Sequence, residues 1–205
     1  MYPAPAYHVT DIEQIVRFME RFPFATLIAT GADGLPVATQ VPTLVHRVGS
    51  QVFIRAHVMR GTDHFHALPS GGPALLLFSG PHCHVSASWY TNPLSGSTWN
   101  YMTAHARGTV RHISEAELRT LLRDLTNRYE DGPDTGANWE DLPEEYIQRM
   151  LPAIVGIEVS VTALDAVFKL SQKHDDTNRQ RIIERLRQHG GHSAEVADEM
   201  ERIFS

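Results

Sequence analysis

Trp89, Tyr90, Trp99 and Tyr101 fall within thirteen residues of a chain whose aromatic content is only 8%. Ser86, Ser88, Asn92, Thr98 and Asn100 are interleaved with them. Apolar ring faces beside short hydrogen-bonding side chains are what a flat, polar-edged ligand needs. A core corner with satisfied polar groups has the same composition. Histidines form a second group, twelve in all. His82 and His84 flank Cys83, His64 and His66 repeat the spacing, and His57 and His105 complete a group of six that could meet in space. On a strand, His82 and His84 share one face and Cys83 takes the other. Imidazoles so spaced can bind zinc, copper or iron. No acidic residue accompanies His82 and His84 locally, so the histidines are read as hydrogen-bonding or surface groups and no metal ligand is assigned.

An anion needs oriented backbone N–H groups together with Arg, Lys, Ser or Thr. Arg60-Gly61-Thr62, at a strand-to-helix turn, is one such place, and Lys169-Leu170-Ser171-Gln172-Lys173 offers a second cation. Nucleophilic hydrolysis is disfavoured. No GxSxG elbow occurs, and Cys83 lies in a strand-like run rather than at a helix start.

The elements that must position these residues follow from periodicity. Asp11 to Phe22 reads as a helix capped by Thr10 or Asp11 and stopped by Pro23. Phe24–Thr30 and Pro36–Val45 flank a GADG turn and read as a hairpin; Gln51–Val58 and Ala74–Ser79 are further strands. A short segment capped by Thr62 follows, then strand-like runs around His82–Ser88 and Trp99–Ile113. Ser114-x-x-Glu117 is a capping box opening a helix to about Glu130. Residues 131–142 read as a loop marked by Gly132, Pro133 and Gly136. A short helix after Pro143 leads to the strand Ala153–Val161. From Asp175 the chain reads as two helices divided at Gly190-Gly191. Strands with interspersed helices, rather than strict alternation, indicate an α+β antiparallel barrel or sheet.

The whole composition excludes several classes. The chain has 205 residues, 42% of them hydrophobic and 20% charged, and so can bury a core. One cysteine excludes an internal disulfide framework. No apolar run approaches the ~20 residues that span a bilayer. MYPAPAYHVTD has neither a basic head nor an apolar stretch, so no signal peptide is expected, and the expectation is a soluble, cytoplasmic protein. A net charge of −6 argues against sequence-independent nucleic-acid binding. The tail carries Arg179, Arg181, Arg185 and Arg187 on its first helix, but its second holds Glu195, Asp198, Glu199 and Glu201 against Arg202. A recognition helix of that charge would be repelled by phosphates, so direct DNA binding is not expected. Val196, Met200, Ile203 and Phe204 recur at helical spacing and call for a covering surface.

Several motifs in order resemble the PaiB-type, FMN-binding negative transcriptional regulator family. They are Met1-Tyr2-x-Pro, Pro23-Phe24-Ala25-Thr26-Leu27, His57-x-x-Arg60 and Gly80-Pro81-His82. Ser86-x-Ser88-Trp89-Tyr90, Thr98-Trp99-Asn100-Tyr101 with His105 and Gly108, and Lys169-Leu170-Ser171-Gln172 complete the series. Departures from the family pattern include Gly61 and Thr62 after Arg60, Ala87 and Ser97 at expected prolines, His84 at a usual aromatic, and Lys173 after Ser-Gln. The resemblance implies an antiparallel split β-barrel of flavin-reductase type over residues 1–170, flanking helices, and a C-terminal helical extension over 171–205. It also implies a homodimer holding FMN in a groove between barrels. On that basis Arg60 and Thr62 are assigned to the phosphate, with Lys169 and Gln172 as further polar contacts. Trp89, Tyr90, Thr98, Trp99, Asn100 and Tyr101 line the ring or its groove, and Ser86, Ser88 and His105 are edge donors. No catalytic residue is assigned. Alternative readings are a flavin-dependent oxidoreductase and a haem- or metal-binding split barrel.

Overall fold

The computed structural model describes residues 4–92, 94–130 and 137–204. The Met1-Tyr2-x segment and the loop glycines and proline at 132, 133 and 136 lie outside them. Among the described residues, eight strands and six α-helices occur in chain order: β1 (His8–Val9), α1 (Ile12–Arg21), β2 (Phe24–Thr30), β3 (Pro36–Pro42), β4 (Leu44–Val48), β5 (Gln51–Met59), α2 (Asp63–His66), β6 (Pro73–Val85), β7 (Thr98–His112), α3 (Glu115–Tyr129), α4 (Glu144–Met150), β8 (Ile154–Lys169), α5 (Asp176–His189) and α6 (Gly191–Phe204). The strands form one sheet of order β3-β2-β6-β7-β8-β5-β4, with β1 added on β8. The resolved registers are antiparallel: β5 runs along β8 from Phe53↔Ser160 to Met59↔Ile154, and β1 pairs with it at His8↔Val167. The chain divides into two compact units. One holds Met1–Phe18, Ser79–Ala104 and Asp165–Ser205; the other holds Met19–Phe78 and His105–Leu164. Strands β6, β7 and β8 contribute residues to both.

In the second unit β3 also lies against β5, curling the strands back on themselves. The expected single strand from Pro36 to Val45 is broken at Thr43. Its N–H and hydroxyl both donate to the Pro23 carbonyl, at 3.0 and 2.7 Å, so the fully buried threonine leaves the ladder and β4 begins anew. Helix α3 opens with the expected capping box, Ser114 and Glu117 satisfying each other's backbone N–H. Its Leu118, Leu121 and Leu125 pack with Ile147 and Leu151 into a separate apolar cluster. Beside it Glu158, 6% exposed, accepts from Arg55 Nε at 2.7 Å and Arg111 Nη2 at 2.7 Å. Burial pushes Glu158 up, but the hydrogen bonds from Arg111 and Arg55 outweigh it and hold the carboxylate below its usual range. Arg111 also forks onto Glu117 at 2.8 and 3.1 Å, tying the sheet to the first turn of α3.

In the first unit, the two strands expected at Ala74–Ser79 and His82–Ser88 prove to be one, β6, continuous through Gly80-Pro81. A Gly-Pro pair usually punctuates a chain. Here the glycine serves close approach: a Cβ on Gly80 would stand 2.8 Å from the Phe18 ring and 3.2 Å from the Met102 Cβ. Strand β8 likewise runs past the expected end at Val161 to Lys169. The tail forms the two expected helices, α5 and α6. Val196 and Met200 are fully buried within the chain together with Ile182 and Leu186. Half of the apolar face that called for a covering surface is therefore covered internally, while Ile203 is half-buried and Phe204 exposed. Among the described residues no helix is long and apolar enough to cross a membrane.

Candidate functional site

Period-two alternation on β7 sorts the aromatic motif onto two faces. Asn100, Met102 and Ala104 point into the core, while Trp99 stands 55% exposed and Tyr101 half-buried on the other side. Strand β6 alternates in the same way: Cys83 is buried, and His82 and His84 are exposed. Burial pushes the Cys83 thiol up to about 11, leaving it an inert core group. The two imidazoles flank the indole. His82 lies 6.4 Å from the Trp99 ring at 36°, and His84 lies 5.8 Å from it, nearly edge-on at 70°. His192, the second residue of α6, packs on His82 at 5.6 Å. An exposed indole is thus bordered by two imidazoles, with a third, His192, packed on His82, each a donor or an acceptor according to its tautomer.

A cation is fixed beside this platform. The Lys169 ammonium donates to the Trp99 carbonyl at 2.7 Å and to the Thr98 hydroxyl. An ammonium has three N–H groups, and among the described residues the third meets no acceptor. Burial lowers the Lys169 pKa, which marks a charge held partly out of water. The turn presenting it is shaped by its neighbours. Gln172 accepts from the Leu170 N–H at 2.7 Å and donates to the Phe168 carbonyl. Ser171, at φ 65°, occupies the left-handed region as a non-glycine. Its hydroxyl donates to Asn100 Oδ1 at 3.2 Å and accepts from Asn100 Nδ2 at 2.9 Å. Gln172 and Asn100 therefore spend their side chains on the fold and act on the site by holding Lys169 and Trp99.

The Ser86–Tyr90 stretch forms a tight turn. Ser86 Oγ accepts from the Ser88 N–H at 3.2 Å and pairs with Ser88 Oγ at 2.8 Å. Ser97 Oγ accepts the Ala87 N–H at 3.0 Å, fastening the turn to the approach to β7. Trp89 packs on His189 at 5.3 Å and Tyr90 on His174 at 4.5 Å. The Tyr90 hydroxyl is buried with no hydrogen-bond partner, and burial first, then Tyr7, raises its pKa. An orphaned hydroxyl of this kind costs about 1–3 kcal/mol, so the fold keeps it against its own stability.

Arg60, Thr62 and His105 belong to the second unit. Thr62 caps α2, its hydroxyl accepting from the Phe65 N–H and donating to the Met59 carbonyl, and so is committed locally. Arg60 is anchored by Nε on the Pro152 carbonyl at 3.1 Å, with its guanidinium over the Phe65 ring. Among the described residues its two terminal nitrogens meet no acceptor. His105 lies half-buried on β7. In the same unit, His64 is 4% exposed with both ring nitrogens unpartnered, and burial lowers its pKa. His57 is similarly lowered, with Nδ1 buried and unpartnered.

Of the residues the sequence nominated, Thr98, Trp99 and Lys169 converge directly, with Asn100 and Gln172 behind them. Sequence reasoning put His82 and His84 on one strand face without placing them at Trp99, because alternation does not say which strand lies beside β6. His174, His189 and His192 carried no local signal. Two open grooves, of about 480 Å³ beside Arg179 and Phe204 and about 400 Å³ beside Arg107 and Gly108, contain none of the nominated residues. Trp99, His82 and His84 are all exposed. Among the described residues no group of three or more His, Cys, Asp or Glu side chains could hold a metal ion.

Comparisons with known proteins agree with this architecture. Residues 1–163 match the family described as "Putative FMN-binding domain". The protease synthase and sporulation protein PAI 2 of Bacillus subtilis is 30% identical over 186 residues, 91% of this chain and 89% of that protein. Among solved structures, an FAD and heme binding protein from Mycobacterium smegmatis superposes with a TM-score of 0.62. It is 21% identical, covering 90% of this chain and 80% of that one. A flavocytochrome from Azotobacter vinelandii gives a TM-score of 0.59 at 20% identity, covering 79% and 69%. At these identities the solved structures establish the fold, an antiparallel sheet with flanking helices of the flavin-reductase-like split-barrel kind. With the family match over most of the chain and a near full-length relative beside it, the chain belongs to the PaiB-type FMN-binding domain family.

Proposed function

We propose that this protein binds FMN, with the Trp99 platform receiving the flavin and Lys169 one of its anionic or carbonyl groups. The observation that carries the reading is the Lys169 ammonium, fixed by Thr98 and the Trp99 carbonyl beside an exposed indole, with one N–H left over. The residues present suit the group. A planar ring system finds an aromatic surface with imidazoles at its border, and the unpartnered Tyr90 hydroxyl is a donor awaiting an acceptor. In the second unit Arg60, anchored on the Pro152 carbonyl with two terminal nitrogens unpartnered among the described residues, is by itself a candidate anion contact. Thr62 serves it indirectly, by fixing the turn that carries Arg60.

A bound flavin supplies one- and two-electron transfer; the protein supplies position, electrostatics and exclusion of competing reactions. The platform lies open to solvent, so we place it at the face of a homodimer, each site drawing on both copies. The name of the relative from Bacillus subtilis, protease synthase and sporulation protein, favours a regulatory role. Such a role would run through a protein partner and not through base readout. Arg187 already pairs with Asp198 and Glu201, and Arg179 with Asp176, so much of the tail's positive charge is neutralised within the chain.

The test is an absorbance spectrum of untagged protein, then titration with FMN and light scattering. Saturable binding with bands near ~450 nm, and a mass of two chains, is the expected result. A colourless protein that ignores FMN would refute the assignment. A second reading, haem, is favoured by the exposed imidazoles of His82 and His84 on Trp99, with His192 packed on His82. Haem titration giving a sharp Soret band, with FMN ignored, would transfer the site to it.

A further inference from the structure

Three histidines follow residue 163, where the family match ends: His174, His189 and His192. Each packs on a ring of the stretch from His82 to Tyr90. His174 lies on Tyr90 at 4.5 Å, His189 on Trp89 at 5.3 Å and His192 on His82 at 5.6 Å. We propose that the helical pair α5–α6 is part of the ligand site, with His189 and His192 as side chains that contact the bound flavin. The inference rests on placing the flavin at the Trp99 platform and extends that platform onto a segment outside the family's shared domain.

The position of the pair is specified by polar locks, not by apolar packing alone. Asn178 on α5 accepts from the Thr91 N–H at 2.8 Å and donates to the Thr91 hydroxyl at 3.2 Å, stitching the helix to the turn that bears Trp89 and Tyr90. Asn100, fully buried behind Trp99, donates to the Met200 sulfur at 3.5 Å on α6. Buried polar groups of this kind favour the one arrangement in which each finds its partner. That arrangement brings both histidines to the ring band with spare hydrogen-bonding capacity. His189 Nδ1 donates to the Arg185 carbonyl at 2.7 Å, which leaves Nε2 as an acceptor. His192 makes no hydrogen bond among the described residues, and both side chains are exposed. A flavin ring edge alternates carbonyl oxygens with nitrogen positions, and an imidazole can stack on its face or bond to that edge.

FMN titration of wild type, His189→Ala, His192→Ala and the double variant, followed by flavin fluorescence, tests this. Thermal unfolding of each ligand-free variant is measured alongside. Each single change is expected to weaken binding about two- to tenfold, the range of one lost ring contact, with the ligand-free unfolding temperature unchanged. His192→Phe retains the ring and is expected to recover part of the loss seen with His192→Ala. A double variant that binds within twofold of wild type would overturn the proposal while leaving the flavin reading intact. A wild type that binds no FMN would remove that reading, and this inference with it.

Discussion

Replacing Lys169 with Met separates what this residue does for the ligand from what it does for the fold. In the ligand-free chain the ammonium is held partly out of water, and burial lowers its pKa. A lowered lysine pKa means that the charged form is less favourable in the folded chain than in the unfolded one, so the charge opposes folding at neutral pH. That opposition fades as pH rises from the lowered value towards the usual lysine value. Met has nearly the same length and no charge. Its cost, the contacts to Thr98 and the Trp99 carbonyl, is offset by the relieved burial, and stability should change by less than about 1.5 kcal/mol. Affinity should respond differently. Loss of one charge-assisted contact to a phosphate is worth about 1.5–3 kcal/mol, roughly ten- to a hundredfold in FMN dissociation constant. The assay is paired calorimetric titration with FMN and with riboflavin, which lacks the phosphate, together with urea unfolding. Lys169→Met should lose most of the wild type's preference for FMN and unfold near the wild-type midpoint. Equal losses for both ligands would move Lys169 from the phosphate to the ring. Unchanged FMN affinity would remove it from the site and refute the reasoning.

Two further outcomes concern the scaffold. The Arg111 guanidinium and the Ser114 donors hold Glu117 at about 2, so its stabilisation is present at neutral pH and lost as pH falls through the acid range towards that value. Glu117→Gln should lower the unfolding temperature at pH 7 and flatten its decline below pH 4.5, followed by circular dichroism; parallel acid profiles would show that the pairing carries no stability. Gly80→Ala places a methyl against Phe18 and Met102 and should cost about 1–3 kcal/mol, or roughly 2–12 °C in unfolding temperature for a chain of this size. A variant as stable as wild type would mean that the ring simply moves aside.

Much of the fold was legible because its signals are local. The helix before Pro23, the first strand of the GADG hairpin and the Ser114-Glu117 box each rest on neighbouring residues, and each forms close to where the pattern puts it. What escaped depends on distant partners. Gly80-Pro81 reads as a break until Phe18 is known to press on it, and Thr43 reads as strand until the Pro23 carbonyl claims it. The site divides in the same way. Aromatic density marked the Trp99 region, and alternation alone would have set Trp99 and Asn100 on opposite faces. Nothing near His192 announces that it will meet His82, because the helices that bring it there are positioned by Asn100 and Asn178.

The left-handed backbone of Ser171 bears on the order in which the chain assembles. A serine in that conformation costs on the order of 1–3 kcal/mol, and the compensation comes from Asn100, seventy-one residues earlier on β7. Until β7 has delivered Asn100, only the local bonds of Gln172 to Leu170 and Phe168 shape the turn at 169–172. Lys169 has no fixed direction before then, and α6 lacks its buried anchor at Met200. The chain is therefore expected to complete its sheet first and acquire ligand competence last, so that a half-assembled molecule carries no flavin. In refolding, flavin capture should lag behind the recovery of strand structure.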